Sequence, residues 1–389
     1  MGEIMTILKD LDRGFHHEVD AQRRREGGLS GFGYLAHLAE QRGLGPDGPE
    51  TEQREREFSR RFGVTDAPSP AMAQYAERVR AYARQTWFLD KAFQELGLRV
   101  RGPEADALGK FFATSTGTAL FPVYVESQVV AGLLLTSLVP ALVAQEVMVD
   151  SHTAEHLALS ERPADRRTTV SAEGARAATV TIRTAERSIK LNKYLAQLEA
   201  SYEGLRLQRL NVVSVFLQRL GTQIGIDETD DLIEIAIAGD GNAGSGVSDL
   251  DAEVSGTLDY DELVRLSLAF PTGYEFRVAV VNDLNLRTIL NMPEFKDPLT
   301  GFNFQATGRI PTPMGATWLR WTSTGSSSFS TDRILALDNR LSLVQYTEQG
   351  VLTESDRLID RQFERTVVSK WTGFGKLDYQ ATQCLDIDA

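Results

Sequence analysis

The chain has 389 residues, of which 42% are hydrophobic and 24% charged, and it carries a net charge of −13. That length exceeds one ordinary core, so two or three domains are expected, and the composition is that of a folded chain. Residues 1–110 are close to neutral and nearly all the negative charge falls on 111–389. An acidic body of this kind argues against dedicated nucleic-acid binding, which needs basic surface to displace counterions. The single cysteine, Cys384, excludes an intrachain disulfide and a multi-cysteine zinc site, and it fits a reducing compartment.

The first residues carry charges every few positions and lack an apolar core, so no signal peptide is expected. Residues 1–110 are charge-dense and broken by Gly/Pro clusters, and they predict an all-helical module with a small core. Its best helix is Ala71–Leu96, where Tyr75, Val79, Tyr82, Ala83, Thr86, Leu89 and Phe93 recur at helical spacing. Leu120-Phe121 precede Pro122 and are expected to be extended, with a short helix following and Pro122 near its first turn. The longest apolar run, Ala131–Ala144, contains Thr136, Ser137 and Pro140 and is too short to span a bilayer, so no membrane partner is expected. Val139–Val149 reads as a strand.

Two alternating runs come next. Val180 and Ile182 sit between Thr179, Thr181 and Arg183, and Ile189 and Leu191 sit between Ser188, Lys190 and Asn192. With Thr184–Arg187 as the turn, they predict a β-hairpin with one apolar face. An isolated two-stranded hairpin is marginally stable in water, so this one must lie on its own domain or on another copy of the chain. A long helix follows over about Leu205–Ala238, with Leu207, Leu210, Val213, Phe216, Leu217, Leu220 and Ile224 on one stripe. Its length is roughly 50 Å at about 1.5 Å per residue, and Gly221 and Gly225 are candidate bends. Beyond Gly239–Gly244 the pattern predicts helices at Tyr260–Leu268 and Asp283–Asn291. Strands are expected at Phe276–Val281, Thr317–Trp321, Arg333–Leu337, Arg361–Val368 and Gln380–Leu385.

The sharpest catalytic motif is His152-Thr-Ala-Glu155-His156, which fits H-x-x-E-H. On a helix that spacing presents two histidines to zinc with the glutamate as general base, the alternative function being a zinc-dependent hydrolase. The flanking residues do not make a strong helix and no third ligand is nominated, so an exposed loop or strand is the expected home. Gly31-Phe-Gly33-Tyr-Leu-Ala36 fits G-x-G-x-x-A, but the charged Gln22–Glu26 before it cannot be the buried strand that a dinucleotide site needs. Asp240-Gly241-Asn242 hints at calcium, yet Gly244-Ser245 break the EF-hand spacing. No G-x-S-x-G and no phosphate-binding G-x-x-x-x-G-K-[ST] occurs. The chain is expected to be no enzyme and to need no cofactor.

The order of these elements, with Leu120-Phe121-Pro122, Glu173-Gly174, Ser201-Tyr202-Glu203 and Gly239-Asp240-Gly241 at their spacing, resembles the major capsid proteins of tailed bacteriophages, the Hong Kong 97 fold. The similarity covers about residues 108–389. It implies an α+β fold in which 111–164 are the N-terminal arm and the entry to a peripheral domain. Residues 165–202 would be an extended E-loop hairpin, 203–240 the spine helix, 241–340 an axial domain and 341–389 strands returning to the peripheral domain. Residues 1–110 resemble a fused scaffolding region.

The implied function is a homo-oligomeric shell of pentamers and hexamers that encloses double-stranded DNA without reading its sequence. Its implied partners are a portal, a head-maturation protease and decoration proteins, and its place is the virion, with assembly in host cytoplasm. An encapsulin-like nanocompartment is a further alternative, disfavoured by the long N-terminal region. The implied assembly residues are Val180, Ile182, Arg183, Ile189 and Leu191 on the hairpin, with Leu210, Val213, Leu217 and Leu220 in the core of the spine helix. Some relatives crosslink an E-loop lysine to a neighbour's asparagine. Here the tip is Ile182-Arg183-Thr184-Ala185, and a permanently protonated arginine cannot be the amine nucleophile, so a non-crosslinked shell is expected.

Overall fold

A computed structural model describes residues 49–61, 70–100, 102–113, 115–155, 157–158, 183–184, 188–201, 208–242, 245–247, 249–296, 313–322, 328–358 and 362–388, with a few single positions between them. The fold is mixed helix and sheet, organised around one long helix. In chain order the helices are α1 (Pro49–Arg61), α2 (Pro70–Glu95), α3 (Ser115–Thr136), α4 (Val139–Leu142), α5 (Leu210–Ala238), α6 (Tyr260–Leu268), α7 (Asp283–Asn291) and α8 (Pro293–Lys296). The motif Gly31–Ala36 lies outside the described residues.

Two sheets flank α5. The first has the order β1-β11-β12-β6, formed by Gln145–Met148, Leu343–Leu358, Phe363–Lys376 and Asn192–Ser201. Its centre is a long antiparallel hairpin, β11–β12, with Leu343 opposite Lys376 at one end and Leu358 opposite Phe363 at the other. The second sheet has the order β7-β13-β10-β8-β9, from Asp249–Asp251, Thr382–Asp386, Arg333–Leu337, Val278–Val281 and Thr317–Arg320. Leu232, Ile233, Ala236 and Ile237 on the C-terminal half of α5 pack against Val278, Val280, Leu335 and Leu337 on one face of it. Leu263 and Leu266 of α6 with Leu286 and Ile289 of α7 cover the other face. Side chains on these strands therefore alternate between two cores.

Both short helices start as their sequences dictate. Asp259 accepts a hydrogen bond from the Glu262 amide at 3.0 Å, and Asn282 accepts one from the Asn285 amide at 2.9 Å. Each satisfies an amide that the first helical turn leaves unpaired, worth about 1 kcal/mol.

Several expectations need correction. Leu120 and Phe121 are helical, because α3 runs straight through Pro122. Leu120, Phe121, Val123, Tyr124, Val125 and Val129 are all buried, and burial worth roughly 1.5–3 kcal/mol per side chain outweighs the ~3 kcal/mol of an internal proline. Val139–Leu142 is a short helix, with Pro140 in its first turn where no amide is needed, and only Gln145–Met148 is strand.

The segment 1–110 does not end as a separate unit. Tyr75, Val79, Tyr82, Phe88, Leu89 and Phe93 of α2 share one core with Leu120, Tyr124, Val129, Leu210 and Leu217. Phe93 and Phe111 meet edge to face at 5.5 Å, and Phe93 and Tyr124 at 5.9 Å. Tyr82 donates to the Ser127 carbonyl at 2.9 Å and Tyr75 to that of Leu134 at 2.8 Å; burial pushes the Tyr75 phenol up to about 12, although Arg78 works the other way. The stretch 341–389 is likewise divided, since β13 completes the second sheet rather than the first. Cys384 and Leu385 are fully buried there.

Candidate assembly interface

The hairpin differs in its pairing from the sequence expectation. Residues 183–184 and 188–192 are not opposite limbs of one turn; they are successive pieces of the same returning limb. Its partner is the outgoing limb 153–158: Thr153 pairs with Lys190 and Ala154 with Ile189, then Leu157 with Thr184 and Ala158 with Arg183. The four two-residue strands are β2 (Thr153–Ala154), β3 (Leu157–Ala158), β4 (Arg183–Thr184) and β5 (Ile189–Lys190). The described pairing therefore begins at Thr153, before the expected hairpin, and Thr153 and Ala154 of the H-x-x-E-H motif lie in the outgoing limb. Val180 and Ile182 fall outside the described residues.

The arm is fixed at its base. Ile189 and Leu191 are buried with Ala154, Val344 and Tyr346. The Leu191 amide donates to the His152 carbonyl at 3.0 Å, which ties the two limbs together. Gly373 of β12 lies beneath them: a Cβ there would be 2.9 Å from the Lys190 carbonyl oxygen. Glycine permits this close approach of two backbones. The His152 ring stacks on Trp371 at 4.6 Å, its Nδ1 is 2.6 Å from Glu348 Oε2, and Lys193 Nζ lies 5.1 Å from the same indole. Glu348 stands at a register shift in β11 between Thr347 and Gln349, a bulge that re-aims its carboxylate towards the arm.

Thr153-Ala154 form a strand, so the helical turn that the zinc reading requires is absent there. His152 is instead occupied by Glu348 and Trp371, Glu155 is exposed, and His156 lies outside the described residues. Among the described residues no cluster of three or more His, Cys, Asp or Glu could hold a metal ion. Asp240 is engaged by backbone, accepting from the Lys376 amide at 3.2 Å and the Asn242 amide at 3.1 Å.

Beyond the base, β6 joins the arm to the body. It pairs with β12 from Asn192 opposite Thr372 to Ser201 opposite Phe363. The acidic segment of α5 then grips this sheet and its neighbour. Glu228 and Lys370 form a buried ion pair at 2.5 Å. Asn192 donates to Asp231 at 3.0 Å, and the Tyr194 hydroxyl also donates to Asp231; burial, then that bond, push the phenol far above its usual range. Trp321 Nε1 donates to Asp230 at 2.8 Å. Sequence reasoning missed these roles, because a run of five polar residues in a helix reads as a solvated face.

Of the expected helix residues, Leu210 and Leu217 are fully buried and Val213 and Leu220 pack on the same core. Gly221 and Gly225 serve contact rather than bending. Gly221 lies against Val129 of α3, and Gly132 of α3 lies against Gln218, each leaving 1.9 Å between a would-be Cβ and a carbonyl oxygen.

Solved structures similar to this chain include capsids of a GTA particle and of the cyanophage P-SCSP1u. The capsid of a native GTA particle has 16% identity and a TM-score of 0.48, covering 64% of this chain and 89% of that one. The Microbacterium phage Oxtober96 has 10% identity and a TM-score of 0.46, covering 64% and 91%. A virus-like particle from Pyrococcus furiosus has 10% identity and a TM-score of 0.44, covering 67% and 97%. No family model and no curated protein matches the sequence.

Proposed function

We propose that this chain is a major capsid protein, a structural subunit that assembles through pentamers and hexamers into an icosahedral head enclosing double-stranded DNA. The observation that carries this reading is the arm. Its described strands are paired two residues at a time, a ladder too slender to stand alone in water. Its base is nevertheless clamped by His152, Trp371, Gly373 and a buried apolar cluster. A projection fixed at one end has its natural support on a neighbouring copy, and heterologous contacts of that kind close into rings. In this reading β6, α5 and the β11–β12 hairpin form the peripheral part, and the second sheet with α6 and α7 the axial part.

The acidic surface then faces nucleic acid without adhering to it. A portal, a maturation protease and decoration proteins are the partners this role calls for, in the virion and earlier in host cytoplasm. Arg183 is not the tip, because it pairs with Ala158 on the outgoing limb. The shell is held without covalent crosslinks because residues 151–189 carry arginine and no lysine, and Lys190 sits at the base of the arm opposite Thr153. Negative-stain microscopy of the purified protein tests the reading: shells, capsomers or tubes are expected, and a strictly monodisperse small monomer sinks it. Boiled, reduced particles should run as a single band at 43.0 kDa; a covalent ladder would overturn the non-crosslinked form.

A further inference from the structure

The solvent side of α5 opens with an apolar stripe. Val212, Val215 and Phe216 are 42%, 64% and 66% exposed, and the exposed Arg219 and Gln223 continue the same face. Leu210, Val213 and Leu217 already give the core what it needs from this part of the helix. Adjacent exposed Val and Phe on a regular helix mark a contact surface better than a scattered apolar residue does. Arg219 meets no acidic side chain among the described residues of its own copy.

An acidic group stands at the other end of the stripe. The first turn of α5 is tied to the loop before the core: Arg209 donates to the Pro103 carbonyl at 2.9 Å and Asn211 to that of Gly102 at 3.4 Å. Glu104 follows directly, and among the described residues its one ion pair is with Arg99, both side chains being about two-thirds exposed or more. Such a pair is worth little in water and exchanges readily.

We propose that this stripe docks on the same stripe of a second copy, the two α5 helices crossing antiparallel about a two-fold axis between Val215 and Phe216. The inference rests on the capsid reading, in which the contact joins neighbouring subunits. The register follows from the symmetry. Val215 meets Phe216 of the second copy, and the stem of Arg219 covers Val212 of the second copy. The guanidinium then comes level with Glu104 of the second copy. Apolar meets apolar at the centre and opposite charges meet at both ends, so the surface is self-complementary, as an isologous contact requires. Three apolar side chains per copy fall well short of the ~1,200–2,000 Å² of a free-standing stable interface. The contact therefore adds to others in a shell rather than holding a dimer alone.

Cys384 is buried, so Val215→Cys supplies one accessible thiol for a test on assembled particles. Oxidised and run on a denaturing gel without reductant, this variant is expected to give a band at twice 43.0 kDa. Gln223→Cys should give none, because its two copies would lie about 20 Å apart along the helices. Arg219→Glu should lower the dimer yield of Val215→Cys several-fold, and adding Glu104→Arg should restore it. Particles without a Val215→Cys dimer, or with equal dimer from Gln223→Cys, overturn this contact alone. So does a Val215→Cys thiol that becomes reactive only after residues 1–48 are deleted, since the chain itself would then cover the stripe. Absence of any particle removes the capsid reading and this contact with it.

Discussion

A Cβ added to Gly221 would sit 1.9 Å from the carbonyl oxygen of Val129, so α5 and α3 meet backbone to backbone where they cross. No rotamer change relieves such a contact, because the obstructing atom belongs to a helical main chain. Gly221→Ala must push the helices apart, and overpacking of this kind costs about 1–3 kcal/mol or more. Gly350, with nothing within 4 Å of its would-be Cβ, serves as the control. Urea unfolding should show a clear drop in midpoint for Gly221→Ala and little change for Gly350→Ala. Equal behaviour of the two would refute the close crossing.

Glu228 and Lys370 test the join between the long helix and the first sheet. Both side chains are nearly inaccessible. Glu228→Gln leaves a buried ammonium without its counter-ion, and loss of one partner in such a site costs about 3–5 kcal/mol. Combining Glu228→Leu with Lys370→Met should recover most of that loss. A double-mutant cycle by thermal unfolding measures it, and additive losses would mean the pair is not coupled.

Removal of the indole beneath His152 should loosen the arm without unfolding the body. For Trp371→Ala, hydrogen exchange is expected to accelerate across 153–158 and 183–191, while α5 and the second sheet keep their protection. Unchanged exchange at the Leu191 amide, which donates to the His152 carbonyl, would show that the stacking does not hold the base.

Asp338 sets part of the acid limit of stability. Its side chain is fully buried, which by itself raises its pKa, but hydrogen bonds from Arg340 and from the Glu275 and Arg340 amides outweigh burial and bring it below the usual range. A carboxylate with a depressed folded pKa contributes stability that is present above its unfolded pKa of about 4 and is lost as pH falls through the folded value. Wild-type protein should therefore destabilise steeply below about pH 4. Asp338→Asn should be weaker at neutral pH and show a shallower acid slope; parallel curves would refute the assignment.

Truncation separates the N-terminal segment into two parts. Deleting residues 1–48 should leave a folded chain. Deleting 1–105 removes Tyr75, Val79, Tyr82, Phe88 and Phe93 from the shared core and should give insoluble protein. Well-folded soluble protein from the longer deletion would show that α2 is dispensable.

What could be read from sequence followed amphipathicity. α6 and α7 have one buried face and an Asp or Asn cap, and their limits Tyr260–Leu268 and Asp283–Asn291 match the periodicity. The long helix ends at Ala238 as its stripe indicates, followed by Gly239 at a φ of 94°, where the chain turns with no Cβ to obstruct it. α3 was hidden because it is apolar on all sides and carries a proline, so no period stands out. The β11–β12 hairpin was half hidden: its buried positions include Thr347, Thr353, Thr366, Ser369, Lys370 and Thr372 beside the core residues Val351 and Val368, and Glu354, Asp356 and Arg365 mask the alternation. The arm was misread for a different reason. Strand partners are chosen by three-dimensional register, and residues 183–184 and 189–190 are two pieces of one limb whose mates lie 25 to 37 residues earlier.

Leu191 alone separates the last paired residue of the arm from β6, and β6 shares its sheet with the strand that carries Lys370. The described route from the arm to the helix runs through strand pairing and one buried ion pair. Force applied to the paired limbs of the arm would therefore reach the sheet as torque and the helix as rotation, with the His152–Trp371 stack as the fulcrum. The molecule is built as a lever.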